Sequence, residues 1–121
     1  MSYICAKIKS EKVMNYDSSP VHILFDNDNL KQRLLALVEG NNSPSGTTFM
    51  NLCYRIRQQA IDDHAVPDAT ATYTNDELAP ADQVRVSRLL WELIWEHKIF
   101  LLFGRSELLG LSNGEDRFVK Y

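Results

Sequence analysis

"LLWELIWEHKIFLLFG", residues 89–104, contains both tryptophans of the chain and its densest aliphatic run. Read backwards through "ADQVRVSR", its periodicity predicts a helix over 81–98. Arg85, Arg88, Glu92 and Glu96 make one polar stripe on that helix, and Trp91 and Trp95 flank it. Val86, Leu89, Leu90, Leu93, Ile94 and His97 occupy much of the remainder. A helix that is apolar round most of its circumference is expected at the centre of a fold, surrounded by protein. Both indoles are therefore expected in the core, where truncating either costs ~3–5 kcal/mol. His97 is expected to serve the last helical carbonyls and the negative end of the dipole.

Beyond this helix, "IFLLFG" reads as a buried strand, and "LLGLSNGEDRFVKY" as two short strands round the Asn113–Gly114 turn. The C-terminal order is thus helix, strand, hairpin. Upstream, "YICAKIKS" alternates with period two, placing Ile4, Ala6 and Ile8 on one side, and predicts a half-buried strand. "VHILF" at 21–25 predicts a second strand. The period then changes. Leu30, Leu34, Leu37 and Val38 predict a helix capped by Asp26, Asn27 or Asp28 and stopped by a left-handed Gly40. "FMNLCYRIRQQAI" predicts a helix capped by Thr47 or Thr48, with Phe49, Leu52, Cys53, Ile56 and Ala60 inward. Between it and the tryptophan helix lies an acidic, aperiodic segment, 62–80, in which Thr74 and Glu77 have the spacing of a capping box. Pro80 suits the first turn of the helix that follows.

Together these readings predict one α+β domain over 1–121. Three helices pack on a small antiparallel sheet, and the C-terminal helix–strand–hairpin has winged-helix-like order. The 121 residues, 45% apolar and 24% charged, suit an ordinary globular chain. No apolar run is long enough to span a bilayer, and the N-terminus lacks the pattern of a signal peptide. Cys5 and Cys53 stand apart with no paired-ligand spacing, which points to two reduced thiols and a cytosolic address.

Chemistry is sparsely signalled. His22, His64 and His97 are dispersed, and "DDH" at 62–64 fits no metal-site spacing, so no metal and no cofactor is expected. No nucleophile elbow or phosphate loop occurs; "GNNSPSG" at 40–46 follows a helix and precedes no lysine. The net charge of −3 is divided unevenly, +2 over residues 1–60 and −5 over 61–121. A binder of phosphate backbones normally carries a basic stripe, and none is visible.

The leading expectation is a non-enzymatic protein-interaction or regulatory module that binds another protein or its own copy. Its partner-facing surface would be the acidic segment, with Asp62, Asp63, Asp68, Asp76 and Glu77. The alternative is a winged-helix-like DNA-binding regulator contacting nucleic acid through Gln83, Arg85, Arg88 and Arg117. A small enzyme whose site is assembled from distant residues is the third reading. Membrane association finds no support, because the amphipathic helices lack lysine-rich polar faces.

Overall fold

Each helix begins and ends for a local reason. In the computed structural model, which describes residues 15–43, 45–102 and 117–121, Asp26 caps helix α1 (Asn27–Glu39) by accepting the Asn29 N–H at 2.7 Å. Thr48 caps helix α2 (Phe49–Asp62) through the Asn51 N–H at 3.2 Å. Helix α3 (Pro80–Trp95) has Pro80 in its first turn and no side-chain cap. In the short turn before it the Thr74–Glu77 capping box does not form, since Thr74 Oγ1 donates to the Asp17 carbonyl. Asn75 Oδ1 instead accepts the Glu77 N–H.

Both α2 and α3 close with the same paired backbone bonds. His64 N–H reaches the Ile61 carbonyl and Ala65 N–H the Ala60 carbonyl. His97 N–H reaches Ile94 and Lys98 N–H reaches Leu93. This is the Schellman arrangement, which demands a left-handed residue and usually takes glycine. Here His64 (φ 60°) and His97 (φ 61°) occupy the position. His97 thus serves the helix end through its backbone rather than its ring. At α1 the expectation of a left-handed stop fails: Gly40 has φ −81°, because the chain turns on through Gly40 N–H to Ala36 O and Asn41 N–H to Val38 O.

Among the described residues the strands form two sheets rather than one. Strands β1 (Tyr16–Asp17) and β3 (Thr72–Tyr73) pair in parallel. Strands β2 (Thr47–Thr48), β4 (Ile99–Leu102) and β5 (Arg117–Lys120) form an antiparallel sheet in the order β2-β5-β4. In its register Ile99 faces Lys120 and Leu102 faces Arg117. "RFVK" therefore pairs with "IFLL" itself; the expected strand within 108–111 and the Asn113–Gly114 turn lie outside the described residues. So do "YICAKIKS" and Cys5.

"VHILF" does not become a ladder strand. It is extended, with one parallel bridge from Val21 to Leu78. Its N–H groups go to three places: Val21 N–H to Glu77 O, Leu24 N–H to Ala65 O, and Ile23 N–H to the Asp82 carboxylate; its Val21 carbonyl accepts from Ala79 N–H. Val21, Ile23 and Phe25 still alternate inward as a half-buried strand would. They join a contiguous core with Leu30, Leu34 and Val38 of α1, Leu52, Ile56 and Ala60 of α2, and Val86, Leu89, Leu90 and Leu93 of α3. Ile99 and Phe118 attach the sheet to that core. No helix among the described residues is long and apolar enough to cross a membrane.

Candidate functional site

The side chains that α3 buries are Asp82, Val86, Leu89, Leu90 and Leu93, all on one face. Val84, Arg88, Trp91 and Trp95 recur at spacings of four, three and four on the opposite side, and all are exposed. Trp91 is 50% and Trp95 80% accessible, so the expectation that the indoles form the core is overturned. The physical reason is geometric. Helices α1 and α2 and the sheet together enclose one side of α3, and Leu89, Leu90 and Leu93 already fill it.

Strand β4 follows α3 closely and lies beside it. Its residues alternate: Ile99 is buried and Leu101 half-buried, whereas Phe100 and Leu102 are 48% and 45% exposed. Among the described residues it pairs with β5 alone and is half exposed, not the buried strand expected. Phe100 stacks on Tyr121 with ring centroids 4.4 Å apart. Between helix and strand runs a groove of about 560 Å³ whose walls include Trp91, Ile94, Trp95, Phe100 and Tyr121. A second hollow of about 370 Å³ continues past Trp91 to Met50, Ser87 and Phe118. The two hollows share Trp91 and Leu101, so the exposed apolar side chains of α3 and β4 border one continuous depression.

The carboxylates beside the groove are neutralised locally. Lys31 of α1 binds Glu92 at 3.1 Å and Glu96 at 2.5 Å, and Lys98 lies 3.6 Å from Glu96. The ammonium of Lys31 holds the Glu96 carboxyl below the usual range, and the two acids raise the Lys31 pKa in return.

The residues named for nucleic-acid contact are mostly engaged internally. Arg85 donates to Asp82 at 3.0 Å, to Asn27 at 3.1 Å and to the Phe25 carbonyl. Gln83 donates to the Leu78 carbonyl and Arg117 to the Gly46 carbonyl. Arg88 is exposed and makes no hydrogen bond among the described residues.

The acidic residues of 62–80 are not gathered on one surface element. Asp63 pairs with Arg33 at 2.9 Å. Asp68 organises its own turn, accepting from Thr70 and from Asn15, and these hydrogen bonds hold its carboxyl below the ordinary range. Asp62, Asp76 and Glu77 are exposed. The segment itself is tied down from below by a residue that the periodicity reading left out. Arg57 of α2 is buried and donates to the carbonyls of Asn75 and Tyr73 and to Gln58. Its signal in the sequence was its register, four residues after Cys53 and three before Ala60, on the inward face. Asp82 carried the same kind of signal, four residues before Val86.

No group of three or more His, Cys, Asp or Glu side chains is arranged for a metal among the described residues. Cys53 is a free thiol inside α2, and burial pushes its pKa from the ordinary 9.0 up to about 12. The folded state therefore keeps the proton that the unfolded chain releases, so this group's contribution to stability is constant below pH 9 and declines between about 9 and 12. A Cys5→Ser variant, leaving Cys53 alone, is expected to react with a thiol reagent at pH 8 much more slowly when native than in concentrated urea. Equal labelling rates in the two states would contradict its burial.

No family model, no curated protein and no solved structure matches this chain.

Proposed function

We propose that the chain is a protein-binding module whose contact surface is the aromatic face built by α3 and β4. The observation that carries this reading is the placement of Trp91 and Trp95 in solvent on a helix whose other side is fully used as core. Tryptophan and tyrosine dominate the energetics of protein contacts because they bury much area while losing few rotatable bonds. The surface is well prepared for an apolar partner, since its bordering acids already have Lys31 and Lys98 as counter-ions.

A photo-activatable benzophenone side chain at position 95 tests the reading in cells that make the full chain. The expected outcome is a discrete protein adduct from position 95 and none from a control at exposed Thr70. Absence of any adduct from position 95 would refute it. Trp95→Ala is expected to change unfolding stability by less than about 1 kcal/mol, in contrast to the ~3–5 kcal/mol loss that a core tryptophan would show.

One observation favours a second reading. The elements from α1 onward, omitting the short β3, run helix, strand, helix, helix, strand, strand, and the sheet order β2-β5-β4 sets the first of these strands beside the last. That order resembles the connectivity of a winged helix, a scaffold often used on DNA. On this reading Arg88, exposed and without a hydrogen bond among the described residues, is the cation that the recognition helix offers, and Arg85 has only a supporting role. The same photoprobe moved to position 88 separates the two: a nuclease-sensitive adduct belongs to nucleic acid, and protein-only adducts would end the DNA reading.

A further inference from the structure

We infer that the partner of the aromatic face is a second copy of this chain, joined through the free edge of β4 in a two-fold symmetric dimer. The inference rests on the protein-binding reading above and names its occupant. Three observations support it.

The first is the edge itself. Among the described residues β4 hydrogen-bonds β5 on one side and no strand on the other. An open edge presents backbone donors and acceptors that pair readily with another strand. The groove between α3 and β4 is lined by Phe100 of that strand together with Trp91 and Trp95, so a strand added to β4 would combine ladder bonds with apolar contact to the indoles.

The second is area. Trp91, Trp95, Phe100 and Tyr121 are 50%, 80%, 48% and 68% exposed. At ~150–250 Å² per aromatic side chain they alone offer on the order of 500 Å². Met50, also about half exposed and lining the adjoining hollow with Trp91, extends the patch. A standard interface needs ~800 Å² from each partner, which a face of this size approaches before any polar rim is counted.

The third is self-complementarity. Two antiparallel copies of β4 related by an axis normal to the sheet keep like faces together. Phe100 of one copy then lies opposite Phe100 or Leu102 of the other, an apolar cross-strand pair. The two sheets merge into one of six strands, β2-β5-β4-β4-β5-β2, and both open β4 edges disappear. Identical copies bring identical charges, and the pairing of Glu92 and Glu96 with Lys31 and Lys98 limits the repulsion between their carboxylates across a self-contact.

Sedimentation velocity on the full chain, from low micromolar to a few hundred micromolar, reads the outcome. The expected result is a concentration-dependent species of twice 13.9 kDa. Leu102→Lys, which puts a charge on the strand edge, and Trp95→Lys, which removes the most exposed indole, are each expected to weaken it by about tenfold or more. Tyr16→Lys, an exposed aromatic on β1, is the control and leaves the dimer unchanged. Urea melts of both variants check that folding is intact. A wild-type chain that stays monomeric throughout, or a dimer indifferent to both substitutions, would overturn the inference. The position-95 adduct separates this failure from that of the broader reading: a monomer that cross-links to a different protein removes the dimer and leaves the protein-binding face standing.

Discussion

Asp82→Ala is expected to destabilise the fold by about 3–5 kcal/mol, the range for removing one partner from a buried ionic network. The side chain is wholly inaccessible and accepts three hydrogen bonds. One oxygen takes His22 Nδ1 at 2.7 Å and the Ile23 N–H at 3.1 Å; the other takes Arg85 Nη1 at 3.0 Å. Asp82 also sits in the first turn of α3, where the helix dipole favours a negative charge. Through these contacts it fastens the extended segment 21–25 to α3. Arg85 carries the link onward to Asn27, where α1 begins. Alanine would strand the Ile23 amide and leave the Arg85 guanidinium with only neutral acceptors.

Urea unfolding with an unchanged m-value is the measurement. Asp82→Asn keeps the shape and one carbonyl oxygen, so a smaller loss of about 1–3 kcal/mol is expected. His22→Ala should cost less still, because the imidazole is half exposed and its removal leaves Asp82 with two donors. If Asp82→Ala fell within 1 kcal/mol of the parent chain, the network would not be the fastening described. A domain of ordinary stability, ~5–15 kcal/mol, would be left close to its threshold by the predicted loss.

Much of the helical framework was legible because its signals are local. The caps could be narrowed to Asp26, Asn27 or Asp28 and to Thr47 or Thr48, of which Asp26 and Thr48 serve, and Leu30, Leu34, Leu52 and Ile56 named as core, from spacing within one or two turns. The aromatic face was misread for a reason that spacing does not contain. Periodicity shows that a residue is apolar, and only the packing of α1, α2 and the sheet decides which apolar side of α3 they cover. Trp91 and Trp95 lie opposite Leu89, Leu90 and Leu93, and that opposition was visible; which face would be covered was not. Asp82 and Arg57 were overlooked in the reverse way. A charged residue in an inward register looks like an interruption of the pattern, but each is a buried hub whose partners include residues 16–60 positions away in sequence. The glycines divide similarly. Gly40 resembled a left-handed helix stop and is right-handed, while Gly46, set in a loop with no distinguishing neighbours, takes the left-handed conformation.

Gly46→Ala is the second large effect, a loss of about 2–5 kcal/mol from two separate causes. Gly46 has φ +81°, a conformation that disfavours any L side chain by ~1–2 kcal/mol. A Cβ built there would lie 2.4 Å from Val119 Cγ1 and 2.5 Å from the Phe118 carbonyl oxygen. The valine methyl can rotate away, but the Phe118 carbonyl belongs to β5, the central strand held by both β2 and β4. Relief therefore requires β2 to move off the sheet, with loss of the Thr47–Phe118 pairing and of the burial of Thr47. Gly40→Ala supplies the contrast. Its φ is −81° and its nearest neighbour would be the Ala36 carbonyl oxygen at 3.1 Å, so a change of less than about 1 kcal/mol is expected, with reduced freedom of the unfolded chain offsetting the tight contact. Because β2 is joined to β4 only through β5, a displaced β2 leaves the aromatic groove largely in place. Gly46→Ala should thus lower the urea midpoint sharply while the Trp91 and Trp95 fluorescence of the still-folded fraction stays near that of the parent. Equal effects of the two glycine substitutions would show that the close approach of Gly46 to β5 does not hold the sheet together.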